Sequence, residues 1–312
     1  MLLSVLLIGI SLQSLSTANP LKEPLPVLLW HGMGDSGFNT GMQHLAQILE
    51  QSIPGLKTKQ VTIGSNKAEV IHFITFSTIF KQDIEATYFV PVQDQLKKIC
   101  SEILANPLFD RGIQFLGLSQ GGLFARALVQ SCPLKGQLGS LISVGGPQQG
   151  IYGFPACPGG VSFVICRLID KMLSEGAYLE FIQSRLVQAQ YWHDPLNKDK
   201  YETDSLFLAG YNQEQKFNKS FAENMKRLKN LVLVKFNDDQ VVVPRESEHF
   251  GYFHYDDLSK IYNVSDSPLY KEDQLGLKSL DESGRLHLLS VDGDHLQFNL
   301  TWFKSNIIPF FE

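Results

Sequence analysis

The 312-residue chain has no basic stripe, no CxxC pair, no low-complexity tract and, beyond its first residues, no long apolar run. Each absence excludes something. A net charge of -5, from 27 Lys and Arg against 32 Asp and Glu, leaves no electrostatic footprint for nucleic acid. The 4 cysteines lack the spacing of a zinc or redox motif, so no metal site is expected. No internal segment approaches the roughly 18 uninterrupted apolar residues of a membrane span, so the mature chain is expected to carry no transmembrane segment. What remains is an ordinary globular composition, 44% hydrophobic and 19% charged. The length suits one large domain, or one domain with a sizeable insertion.

The N-terminus stands apart. Leu2, Leu3, Val5, Leu6, Leu7, Ile8 and Ile10 form a short apolar run, and Ser16-Thr17-Ala18 supplies small residues for cleavage. Residues 1–18 therefore read as a secretory signal peptide, although the run has no Lys or Arg before it. Two features agree with secretion. The cysteine count is even: Cys157 and Cys166 flank a Pro-Gly-Gly turn and pair most simply with each other, leaving Cys100 to pair with Cys132. Three N-x-S/T sequons, at Asn218, Asn263 and Asn299, mark candidate glycosylation sites.

The chemistry concentrates at Gly117-Leu118-Ser119-Gln120-Gly121, a G-x-S-x-G pentapeptide. An apolar, strand-like stretch, Ile113 to Leu118, precedes it, and helical spacing follows through Gln130. Strand, tight turn and helix are the context that gives the motif meaning. The turn strains the serine backbone and leaves no room for neighbouring side chains, hence the glycines. The serine hydroxyl is then presented at the top of a sheet, above a helix N-terminus.

Upstream, the apolar strand Pro26 to Trp30 runs into His31-Gly32-Met33-Gly34-Asp35-Ser36-Gly37. In hydrolases with such an elbow, a loop of this kind gives one backbone N–H to an oxyanion hole, and the residue after the nucleophile gives the other. The donors expected here are Met33 and Gln120. Further elements follow: a helix over Met42 to Gln51, a strand over Pro54 to Ile63, a helix over Val92 to Ala105 and a strand over Ser140 to Val144. The state of Val70 to Tyr88 is undecided. Strands alternating with helices imply a mostly parallel sheet with helices on both faces, an α/β fold.

From Gln148 to Asn230 the pattern turns Gly- and Pro-rich and then helical, with helices expected over Arg167 to Leu173, Tyr178 to Ala189 and Ser220 to Leu228. We read residues 148–230 as an insertion within the domain 19–312. Phe154, Phe163, Val164, Ile165, Leu168, Ile169, Met172, Leu173, Phe181 and Ile182 would line an apolar groove or form the insertion's own core. The sheet resumes at Leu231 to Phe236 and ends with the strand Leu286 to Val291, before a helix over Trp302 to Phe311.

A serine hydroxyl needs a base to take its proton, and the base needs a carboxylate to hold it. In this arrangement the order along the chain is Ser, acid, His, each on a loop after a strand. Of the 8 histidines, His295 follows the last strand. The strand 231–236 leads to Asp238 and Asp239, and spacing does not separate them. Asp292 and Asp294 lie too close to His295 for the role and would instead shape its loop. The expected chemistry is acyl transfer through an acyl-enzyme, with no cofactor; ester, thioester and amide substrates all fit it.

Four stretches add a resemblance: Leu29 to Ser36, Gly117 to Gly122, Gly293 to Gln297 and, most specifically, Arg185-Leu186-Val187-Gln188-Ala189-Gln190-Tyr191-Trp192-His193-Asp194-Pro195. Together they resemble the palmitoyl-protein thioesterase 1 family across essentially the whole mature chain. The resemblance implies an α/β-hydrolase fold and a serine thioesterase removing palmitate from S-acylated cysteines of proteins or peptides. It also implies an acyl-binding helical insertion, glycosylation and a lysosomal destination through the secretory pathway, with secretion as a second outcome. A secreted lipase or carboxylesterase is the alternative. By motif, the nucleophile is Ser119 and the base His295. The V-K-F-x-x-D pattern puts the acid at Asp239, and both disulfides match the family's bridges. Two features depart from it. Gly37 and Phe38 stand where mammalian members carry adjacent cysteines, and Asp238 replaces a sequon at the acid loop.

Overall fold

A computed structural model describes residues 23–64, 76–153, 173 and 176–312, with the side chains of 76–80 left aside. Six strands, β1 (Val27–Trp30), β2 (Thr58–Gln60), β3 (Gly112–Leu118), β4 (Gln137–Val144), β5 (Asn230–Phe236) and β8 (Leu286–Val291), form one sheet. It runs in the order β2-β1-β3-β4-β5-β8, every pairing parallel. A separate hairpin, β6 (Tyr252–His254) and β7 (Asp257–Tyr262), is antiparallel.

The four inner strands, β1, β3, β4 and β5, are largely buried on both sides, which explains why they read as near-continuous apolar runs. Side chains alternate between two cores. Leu28, Trp30, Phe115, Leu141 and Leu233 face one, and Val27, Leu29, Leu116, Ile142 and Val234 face the other. Helices α3 (Val92–Leu104) and α4 (Gln120–Ser131) fill the first face. Helix α1 (Thr40–Ser52) and the C-terminal Phe303, Ile307 and Phe311 fill the second.

This order fixes where a site can form. After β1 the chain steps outward to β2, then returns to place β3 on the other side of β1. The two connections leave β1 and β3 in opposite directions and open a crevice at their carboxyl ends, the place where open α/β sheets bind ligands. Both the His31 to Gly37 loop and Ser119 emerge there.

Several expectations change in detail. The undecided segment contains helix α2 (Phe76–Phe89). The strand expected over 54–63 shrinks to three residues, after a turn in which Leu56 N–H bonds the Ile53 carbonyl. The helix expected over 178–189 is two single turns, Glu180–Gln183 and Val187–Gln190, because Leu186 is extended at φ -121 and ψ 113. The last helix stops at Asn306 and continues as a 3-10 turn, Ile308–Phe311, where Pro309 has no N–H to carry it on. The helix expected over 167–173, Phe154, Phe163, Val164, Ile165, Leu168, Ile169, Met172, Cys157, Cys166 and the segment 1–18 lie outside the described residues. Of the other apolar insertion residues, Leu173 and Ile182 are core, whereas Phe181 is 53% exposed.

Candidate active site

The elbow is built by steric exclusion. Ser119 has φ 51 and ψ -127, a strained backbone for a residue with a side chain. Its N–H bonds the Val144 carbonyl at 2.8 Å, so the turn is held by the neighbouring strand. A Cβ on Gly117 would lie 2.4 Å from the Gly122 Cα, and one on Gly121 2.3 Å from the Trp30 carbonyl oxygen. Only glycines let strand, turn and helix approach this closely.

His295 is brought 176 residues along the chain to face the serine. Its Nε2 lies 2.8 Å from Ser119 Oγ, and its Nδ1 lies 2.5 Å from Asp239 Oδ2. The hydrogen between the histidine and the aspartate belongs to Nδ1, which leaves Nε2 free to accept the serine proton. Asp239 is buried and Asp238 exposed, so geometry separates the two aspartates that spacing left equal. Asp239 Oδ1 accepts the N–H groups of Val241 at 2.7 Å and Val242 at 2.9 Å. Burial alone would raise this carboxyl, but the hydrogen bond from His295 and the backbone N–H groups outweigh it and hold the group at about 2.

The two loops are sewn together. Asp238 N–H bonds the Gly293 carbonyl at 3.1 Å, and Asn237 Nδ2 bonds Asp292 Oδ1 at 2.6 Å. Asp294 Oδ1 accepts the N–H of His295 at 2.7 Å and that of Gln240 at 3.0 Å. Asp292 and Asp294 thus shape the histidine loop, as their sequence position suggested.

The glycine loop after β1 runs beside Ser119, since a Cβ on Gly32 would sit 3.2 Å from the Ser119 Cβ. Met33 follows directly. Gln120 opens α4, where the first N–H groups of a helix have no partner within it. Side chains brace both places. The fully buried Asp83 carboxylate accepts Ser36 Oγ at 2.7 Å and the N–H groups of Gly37, Ile63 and Gly64. Thr87 Oγ1 accepts the Gly34 N–H at 2.9 Å, and its carbonyl accepts Gln120 Nε2 at 3.2 Å. Helix α2 therefore ties the glycine loop after β1 to Gln120, a link hidden while its segment had no assigned state.

Residues from between β4 and β5 also reach the site. Tyr191 donates its hydroxyl to Gln120 Oε1 at 3.0 Å, and Gln188 Nε2 does so at 3.4 Å. The neighbouring His193 is not at the site. It is buried, stacked between Tyr201 and Tyr252 at 3.8 and 4.1 Å, and bonded to the Gln149 carbonyl.

Asp239, Glu248 and His295 are the described groups that could hold a metal, with ligand atoms within 4.8 Å of one another. Those of Asp239 and His295 are already spent on each other and on Ser119. Among the other expected residues, Cys100 and Cys132 form a disulfide joining α3 to the end of α4. Asn218, Asn263 and Asn299 are all exposed. Asn218 and Asn299 cap helices through Oδ1, a contact that a glycan on Nδ2 would leave in place. Among the described residues no helix is long and apolar enough to cross a membrane.

Comparison with known proteins supplies the context for this geometry. A protein of Caenorhabditis elegans named palmitoyl-protein thioesterase 1 is 39% identical over 92% of this chain and 91% of its own length. Palmitoyl-protein thioesterase 3 of Dictyostelium discoideum is 31% identical, over 93% of this chain and 90% of its own. A Xenopus laevis protein named lysosomal thioesterase PPT2-B is 29% identical, over 90% and 91%. The sequence pattern of the family described as palmitoyl protein thioesterase matches residues 26–295, from the start of β1 to the histidine beside Ser119, and the chain belongs to that family.

Proposed function

We propose that this chain is a serine thioesterase that removes palmitate and similar long acyl groups from cysteines of S-acylated proteins or peptides. The observation that carries the reading is the unbroken line from Ser119 Oγ through His295 to Asp239 at the crevice of the sheet. In it, Ser119 attacks the thioester carbonyl while His295 Nε2 takes the hydroxyl proton. Asp239 holds the ring and stabilises the imidazolium. The N–H groups of Met33 and Gln120 receive the oxyanion, and losing one such donor costs about 10²–10³ in turnover. The cysteine thiol then departs, and water, activated by the same histidine, releases the fatty acid.

Residues 148–230 are assigned to acyl binding, because Gln188 and Tyr191 carry this segment directly onto Gln120. The relatives' names include lysosomal thioesterases, which supports a lysosomal destination for this chain too. Entry through a cleaved signal at residues 1–18, and glycans on the three exposed asparagines, complete the reading. The test is turnover of a palmitoyl-cysteine peptide against its oxygen-ester analogue and triacylglycerol, in wild type and Ser119→Ala. Thioester cleavage that Ser119→Ala abolishes supports the reading. Preference for triacylglycerol, or cleavage that survives the substitution, overturns it.

A further inference from the structure

Beside Asp239 lies a titratable group that this reaction does not use. Glu248 sits on the 3-10 turn Arg245–His249 with no exposed surface. Its Oε2 accepts the Phe236 N–H at 2.8 Å, while its Oε1 is buried without a hydrogen-bond partner. The turn is rigidly placed. His249 Nε2 faces the Leu233 and Leu289 carbonyls at 3.1 and 2.9 Å, and Ser247 Oγ bonds the Gly150 carbonyl at 2.6 Å.

The charges around Glu248 can be enumerated. Asp239 and His295 each present an atom within 4.8 Å of a Glu248 oxygen. Lys235, on β5, is half-buried and acts on Glu248 only through its field. His249 is occupied by the two carbonyls, and burial pushes it down to about 4, so it brings no positive charge at neutral pH. Two carboxylates this close in a buried site disfavour each other's charge, so that one holds a proton. The competition for the proton has a clear winner. An Asp239 charge is met by His295 and by two backbone N–H groups, whereas a Glu248 charge would have one backbone N–H. An unpaired buried oxygen is costly, and a proton turns it into a donor.

We propose that Glu248 is a positioning residue of this site, a neutral carboxylic acid that donates its Oε1 hydrogen to the Asp239 carboxylate. The inference rests on the reading of Asp239 as partner of the base. Burial and then the adjacent Asp239 push Glu248 in the same direction, up to about 11. The donor fixes the Asp239 rotamer. It also draws charge away from Asp239, so the Asp239–His295 pair holds an added proton less tightly and the base stays free at lower pH.

The experiment uses the full chain and measures kcat/KM against pH on a palmitoyl-cysteine peptide for wild type, Glu248→Gln, Glu248→Leu and Asp239→Asn. Glu248→Gln keeps an N–H donor, and its acid limb is expected within about 0.3 pH unit of wild type. Glu248→Leu removes the donor, and its acid limb is expected to rise by about half a unit to one unit. A downward shift in Glu248→Gln would mean that a negative charge had been removed, and it would overturn the proposal. So would an unshifted profile in Glu248→Leu. Infrared spectra decide the matter even if Glu248→Leu fails to fold. Wild type at neutral pH should show the C=O stretch of a buried carboxylic acid that Glu248→Gln lacks, and its absence overturns the proposal. A fully active Asp239→Asn would overturn the triad reading and the proposal with it. Contrary Glu248 results over an inactive Asp239→Asn overturn the proposal alone.

Discussion

Tyr191 donates its hydroxyl to Gln120 Oε1 at 3.0 Å, so a residue 71 positions away steadies the one that follows Ser119. Both side chains are buried, and Thr87 holds the other end of the same amide. Tyr191→Phe removes the hydroxyl and keeps the ring packing. A neutral hydrogen bond contributes about 0.5–1.5 kcal/mol, so a loss of roughly two- to tenfold in kcat is expected, with KM little changed. Steady-state kinetics on a palmitoyl thioester check this.

Gly121 and Gly122 differ in what an added methyl group would meet. At Gly121 it meets the Trp30 carbonyl at 2.3 Å, fixed backbone within the sheet. At Gly122 it meets Ser143 Oγ at 2.2 Å, the end of a side chain. Gly121→Ala is therefore expected to lose more than about 4 kcal/mol or to fail to fold, and Gly122→Ala to lose less. Urea unfolding of the two variants gives the ranking.

Asp239 and Glu248 make stability depend on pH with opposite signs. Asp239 is held at about 2, below an unfolded value near 3.9. Its contribution is present above pH 4 or so and is lost as pH falls through 2. Glu248 is raised to about 11, above an unfolded value near 4.3. Its stabilising effect is full below pH 4 or so and is lost progressively as pH rises toward 11, because the unfolded chain ionises first. Glu248→Gln should therefore raise Tm at pH 7 relative to wild type, and the gain should shrink toward pH 4. Calorimetry at both pH values checks the sign.

The Cys100–Cys132 disulfide closes a separation of 32 residues across α3, β3 and α4. The chain-entropy relation gives about 3–4 kcal/mol for a loop of that length. The double variant Cys100→Ser with Cys132→Ser should lose that much by denaturant unfolding. Placement of Ser119 in the folded fraction should survive, because the bond lies at the far end of α4.

The sequence made some of this site legible and hid the rest for physical reasons. Ser119, His295 and the Met33 loop follow strands, and local spacing encodes such positions. Asp239 could not be told from Asp238 by spacing, because burial decides between them and burial is tertiary. Glu248 left no signal at all, being one glutamate of an ordinary loop until β5 and the turn bring it to Asp239. Helix α2 was hidden by Phe, Thr and Ile residues that favour strands locally. Its burial of Asp83 and Thr87 against the glycine loop accounts for a helix that propensity alone does not. In the β6–β7 hairpin, β6 has three residues and the six of β7 are exposed or half-buried throughout, so no alternation of buried and exposed positions registers.

The most direct test of the account is mass spectrometry of the intact protein, quenched within one turnover after mixing with palmitoyl-CoA. A covalent palmitoyl adduct on Ser119 in wild type, absent in Ser119→Ala and persisting in a deacylation-slow Asp239→Asn, is the predicted result. Rapid thioester hydrolysis with no adduct, or an adduct on any other residue, would contradict it.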